Sequence, residues 1–182
     1  MSGGTDLTES EERRVIPPLF AAYCSENAEA CIKRVAQYKA LVGAIVYKTE
    51  SADGYFTVEL SAESEGCELP EIVLGVEMVL LVNLIRKATK KNIVPYNITV
   101  RRPFDNPGYE KFLGVKAETG EKNALIFTER DAHVPFVTHN ESMCNFFERS
   151  CARESLNWKW TIRYPRVSAV RWSNCCRAGS AR

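Results

Sequence analysis

The chain has 182 residues, 45% of them hydrophobic and 26% charged, and a net charge of +1. That length favours one domain with a genuine core, and the hydrophobic content excludes a disordered chain. The near-neutral total hides an asymmetry. Arg149 to Arg182 carries eight basic residues and one acid, a net of +7, while Met1 to Glu148 carries 16 basic and 22 acidic residues, a net of −6. The acidic part argues against DNA binding by residues 1–148 themselves, because phosphate contacts need clustered cations.

Residues 1–14, polar and acidic at their start, read as a disordered arm with no targeting signal. From Val15 the sequence turns apolar. Pro17-Pro18 can open a short helix over Leu19 to Cys24. Ser25 or Asn27 can cap a second, amphipathic helix in which Ala30, Cys31, Val35, Tyr38 and Leu41 or Val42 recur every three to four residues up to Gly43. Ala44 to Thr49 and Tyr55 to Leu60 are β-rich, with the SADG turn between them. Leu69 to Lys91 follows, apolar from Ile72 to Ile85 except at Gly75, Glu77 and Asn83. Pro70 and Glu71 suit a helix start, and Arg86, Lys87, Lys90 and Lys91 collect at its end. Its apolar run of 14 residues falls short of the ~20 needed for a membrane span, so a central core helix, buried most of the way round, is expected. Tyr96 to Val100 is a third strand, Pro107 to Leu113 a short helix stopped by Gly114, and Val115 to Glu118 a marginal strand. Asn123 to Thr128 is a better strand, Phe136 to Thr138 is irregular, and Glu141 to Glu148 begins a helix. The pattern predicts an α+β domain with a mainly antiparallel sheet and several helices around the central helix.

The candidate chemistry is sparse. Glu77 is the polar residue set deepest in the central helix. It can receive a ligand hydroxyl or amine, or serve as a paired or solvent-reaching carboxylate at the helix edge. Tyr38, Tyr47, Tyr55 and Phe56 can line a pocket where the second helix meets the hairpin, or act as ordinary core and cross-strand residues. Arg101, with Arg102, can grip an anionic ligand, or belong to a solvated face. His133 and His139 lie six residues apart, too loosely spaced for a metal site. The seven cysteines include no CxxC pair and read as reduced thiols of a cytoplasmic protein. With no nucleophile elbow, Gly-rich phosphate loop or HExxH helix, neither an enzyme nor a cofactor is expected.

Four stretches carry a family likeness. They are IPPLFAAYCSENAEACIKRVAQYKALVG, the hairpin after it, LPEIVLGVEMVLLVNLIRKATKKNIVP, and YNITVRRPFDNPGYEKFLGVKAETGEKNALIFTERDAHVPFVTHNESMCNFFE. Together they resemble the N-terminal, arabinose-binding-type effector domain of one subgroup of AraC-family bacterial transcriptional regulators. The likeness runs from about Val15 to Glu148. It rests on the order of the pieces, most specifically the strand, charged-Pro turn, YEKFLGV helix, NALIF and D-A-x-x-P-F of the last stretch. The resemblance implies a domain that senses a small-molecule effector or mediates homodimerisation. It also implies that DNA is bound only through a C-terminal pair of helix-turn-helix motifs, which is missing here.

The tail, 149–182, departs from that pattern. It is rich in Arg, Trp and Cys where the family continues with a Leu- and Glu-rich helix. A shifted reading frame would explain the change. Reading from the third base of each codon, Asn157-Trp158-Lys159-Trp160-Thr161 forces Leu-Glu-(Met or Val)-Asp, and Asn174-Cys175-Cys176 forces two leucines. A divergent or cloning-derived tail is the alternative. The expectation is therefore an effector-sensing or dimerisation domain over 15–148, cut off before its DNA-binding half, with no membrane association. A free-standing module that pairs with or titrates a regulator, without ligand, is the other reading.

Overall fold

The computed structural model describes residues 17–42, 45–64 and 66–147. The expected arm over 1–14 and the tail over 149–182 lie outside the described residues. In chain order the elements are α1 (Pro17–Tyr23), α2 (Ala28–Val42), β1 (Ile45–Ala52), β2 (Tyr55–Ala62), α3 (Glu71–Thr89), β3 (Asn97–Val100), α4 (Gly108–Leu113), β4 (Glu118–Thr119), β5 (Ala124–Thr128) and α5 (Glu129–Ala132). A further helix, α6, spans 141–147. The fold is α+β. Its five-stranded sheet has the order β1-β2-β5-β3-β4, antiparallel at every pairing except the parallel β3–β4 edge.

Local chemistry sets most boundaries. The Asn27 side chain accepts from the Ala30 N–H at 2.9 Å and starts α2. Asp53 and Gly54, with φ of 54° and 80°, form the two-residue turn that closes β1 onto β2. The strands thus run through Ser51 and Ala52, which the sequence pattern placed in the turn. Gly114, at φ 87°, ends α4 in the left-handed conformation that glycine tolerates best. Helix α5 was missed from the sequence. Its signal is Thr128-x-x-Asp131, where the Thr128 hydroxyl accepts from the Asp131 N–H at 3.1 Å, the forward half of a capping box. The segment after α5 has no regular structure, yet it is laced to the link between α1 and α2 and to α3. Phe136 N–H donates to the Glu26 carbonyl at 2.8 Å, Val137 N–H to Ala88 at 2.8 Å, and Asn140 N–H to Cys24 at 3.2 Å.

Strand alternation divides the sheet into two faces. Tyr47 on β1, Phe56, Val58 and Leu60 on β2, Leu125 and Phe127 on β5, and Ile98 and Val100 on β3 join one core with residues from α1 to α5. The other face is half-buried or exposed apart from Ala124. Helix α3 supplies Leu74, Met78, Leu81, Val82, Ile85 and Ala88 to the core. These lie at helical spacing on one face, and each large side chain contributes about 1.5–3 kcal/mol by burial. The helix is not buried all round, however: Ile72 and Val76 are 66% and 54% exposed. Nothing covers that stripe among the described residues, because the sheet and the other helices pack on the opposite side of α3.

One close approach fixes α4 against α3. A methyl group added at Gly75 would meet the Tyr109 ring at 2.6 Å. Gly75→Ala is therefore expected to destabilise by about 1–3 kcal/mol through overpacking. In a Tyr109→Ala background the same change is expected to stabilise by about 0.5–1 kcal/mol, the usual advantage of Ala over Gly within a helix. Urea unfolding of the four proteins checks the reversal of sign.

Candidate functional site

A polar cluster at the edge of the core forms where α2, β1 and α3 converge. Glu77 sits on the buried side of α3, 8% exposed. Its Oε1 receives the Lys39 ammonium at 2.5 Å, and its Oε2 receives the Tyr47 hydroxyl. Lys39 comes from the last turn of α2, and its ammonium also lies 6.0 Å from the centre of the Tyr47 ring. Tyr47 reaches inward because Ile45, Tyr47 and Thr49 share the core-facing side of β1. Burial, and then the Glu77 carboxylate beside it, push the Tyr47 phenol well up from its ordinary value. The phenol is therefore a proton donor throughout the physiological range.

The cluster is neutral as a whole: one carboxylate, one ammonium, one phenol. A lone buried charge would cost several kcal/mol, and pairing with bonds to both carboxylate oxygens is what makes this one tolerable. The Lys39 side chain keeps 26% of its surface in solvent, against 11% for Glu77. The cluster thus opens outward along the lysine. Chemically, the carboxylate is an acceptor that a ligand ammonium or hydroxyl can use, provided it replaces Lys39 on Oε1.

The sequence-derived candidates are only partly brought together. Glu77 and Tyr47 are in direct contact. Tyr38 precedes Lys39 on α2 and is half-buried. Tyr55 lies on the opposite face of the sheet, where it packs at a tilt against Tyr96 with ring centres 4.8 Å apart. The parity of β2 requires this, because Phe56, Val58 and Leu60 take the core side. Arg101 follows β3, three strand positions from β1, or about 14 Å across the sheet. Its Nε donates to the Glu121 carbonyl at 2.7 Å, and its backbone N–H donates to the Asn123 side chain at 2.9 Å. Arg102 pairs with Glu68 at 2.8 Å on the surface.

Lys39 was the residue that sequence reading overlooked. The buried stripe of α2 is Ala28, Cys31, Ile32 and Val35. Its continuation four residues on is Lys39, so a lysine at a core-facing position was the signal. A stripe drawn through Ala30 and Tyr38 turned the helix slightly and hid it.

A second polar group lies beside the turn end of β1. Glu29 accepts from Lys33 at 2.5 Å and from Ser51 at 3.0 Å, and pairs with His133 Nε2 at 3.0 Å. The Lys33 ammonium, above all, holds the Glu29 carboxyl below its ordinary range. His133 Nδ1 faces the Glu129 carbonyl at 2.9 Å. Both ring nitrogens thus face acceptors, and the ring ties α5 to α2.

Among the described residues, no group of three or more His, Cys, Asp or Glu side chains is placed to hold a metal ion. Nor is any helix among them long and apolar enough to cross a membrane. The sequence matches no family model and no curated protein. Among solved structures, the transcriptional regulator CdpR from Pseudomonas aeruginosa is similar at a TM-score of 0.44 and 11% identity over 83% of this chain. The match spans 56% of that regulator's chain, little more than half its length.

Proposed function

We propose that residues 15–148 are the effector-sensing and pairing domain of an AraC-type transcriptional regulator. In this reading the domain binds a small molecule and performs no catalytic step. DNA contact falls to a helix-turn-helix module outside this segment. The observation that supports sensing is the Lys39–Glu77–Tyr47 cluster, a polar junction of three elements at the edge of an apolar core. A ligand ammonium or hydroxyl that replaces the Lys39 ammonium on Glu77 releases the end of α2 from α3. Such a ligand has different affinities for the two arrangements, which is the requirement for coupling binding to a conformational change.

The test is a thermal-shift screen of the full chain against small amines, amino acids and polyols. A stabilising class of compounds is expected, with the shift lost in Glu77→Gln. A screen that is flat for the parent contradicts the sensor reading. One observation favours the alternative, an interaction module without ligand: both Glu77 oxygens are already engaged within the chain. In that case the chain pairs stably and no compound shifts it.

A further inference from the structure

We infer that β1 is an open sheet edge through which two copies of this chain join their sheets in one defined register. The inference specifies the pairing half of the reading above and does not depend on the chemistry of Glu77. Among the described residues, β1 has a strand neighbour on one side only. It is eight residues long, with no proline and no bulge to interrupt it, and the charges it carries, Lys48 and Glu50, are ones that a second copy can complement. Lys48, Glu50, Ser51 and Ala52 are exposed along it.

The hairpin turn dictates which backbone groups face outward. In a two-residue hairpin the pair flanking the turn exchanges both of its hydrogen bonds. Here that pair is Ala52 and Tyr55. Alternation then gives the bonds to β2 to Ala52, Glu50, Lys48 and Val46. The N–H and C=O groups of Ser51, Thr49 and Tyr47 are turned away from β2; Ser51 is exposed and Thr49 half-buried, and Tyr47, 6% exposed, marks the covered end of that edge.

The side chains select the partner and the register. A second β1, laid antiparallel about a two-fold axis through Thr49, sets Thr49 against its own copy and Tyr47 against Ser51. All are residues with outward backbone groups, so the ladder continues in phase. The same axis sets Lys48 of each copy opposite Glu50 of the other. These become non-hydrogen-bonded pairs, the closest kind in an antiparallel ladder, with opposite charges facing on the open side of the sheet. Moving the axis by one residue sets Lys48 against Lys48 or Glu50 against Glu50. Half-residue shifts break the hydrogen-bond phase. A self-complementary strand of this kind is what an isologous two-fold contact requires.

The experiment is sedimentation velocity of the full 182-residue chain under reducing conditions, with circular dichroism to follow the fold. The parent is expected to dimerise at tens of micromolar. Lys48→Glu and Glu50→Lys each place like charges face to face twice. Each is expected to raise the dimer dissociation constant at least about tenfold. Mixed one to one, the two variants make both pairs complementary again, and a heterodimer of near-parent affinity is expected. Thr49→Pro removes an outward N–H without touching a bond to β2, and is expected to give a folded monomer. A monomeric parent, folded variants that pair as well as the parent, or a mixture no tighter than its components would overturn the proposal. A negative result here leaves the ligand screen untouched, so the two readings fail separately.

Discussion

Glu77→Ala is expected to lower the unfolding free energy by about 3 kcal/mol, as much as truncating a large core side chain. The magnitude follows from what remains. Removing the carboxylate strands the Lys39 ammonium and the Tyr47 hydroxyl at the seam between α2 and α3. Breaking one side of a buried ion pair typically costs 3–5 kcal/mol, and the partial exposure of Lys39 puts this case at the low end. Replacing the whole cluster is different. The triple variant Lys39→Met, Tyr47→Phe, Glu77→Leu leaves no orphaned polar group, and its stability is expected to lie within about 1 kcal/mol of the parent. Urea denaturation of both proteins gives the comparison. Near-parent stability of the triple variant, with loss of ligand response, would mean that the cluster is kept for function rather than stability.

The second large effect is expected at Arg86. Its guanidinium donates to three backbone carbonyls: Ile93 at 2.8 Å, Phe112 at 2.7 Å and Leu113 at 2.9 Å. It also lies 5.1 Å from the centre of the Phe112 ring. Two of those carbonyls belong to the last turn of α4, which has no further turn to satisfy them. Desolvation there draws the guanidinium below its ordinary value, yet it stays charged at any physiological pH. Arg86→Ala is expected to cost about 2–3 kcal/mol, less than the sum of three charge-assisted bonds because such bonds are not additive. Arg86→Lys is expected to recover less than half, since one ammonium cannot match the fork. Thermal denaturation with far-ultraviolet circular dichroism measures both.

Most elements whose signals are local were legible in the sequence, α5 with its Thr128 cap being the exception. The Asn27 cap, the Asp53-Gly54 turn, the Gly114 stop and the apolar run of α3 each act within a few residues. The marginal strand expected over Val115 to Glu118 shares only Glu118 with β4, because the pairing of β4 with β3 is a tertiary event between distant segments. Glu77 stood out as a polar residue in an apolar helix, and Tyr47 as one of several aromatics around the second helix and the hairpin. Their meeting with Lys39 depends on how α2 rolls against the hairpin, which a small error of helical phase conceals. Arg86 looked like one charge of a basic cluster at the end of α3. Only the return of the chain through α4 shows that it serves carbonyls of Phe112 and Leu113, 26 and 27 residues away. Tyr55 and Arg101 were grouped with the site by residue type. Sheet parity puts the first on the other face, and strand order puts the second at a distance.

The central claim is that one buried carboxylate couples α2 to the central helix. A double-mutant cycle on Lys39→Met and Glu77→Gln, read by urea unfolding, tests it most directly. A coupling energy of about 1.5–3 kcal/mol is the expected result. A value near zero would mean that Lys39 and Glu77 do not act on each other, and that ligand exchange at this junction cannot move α2.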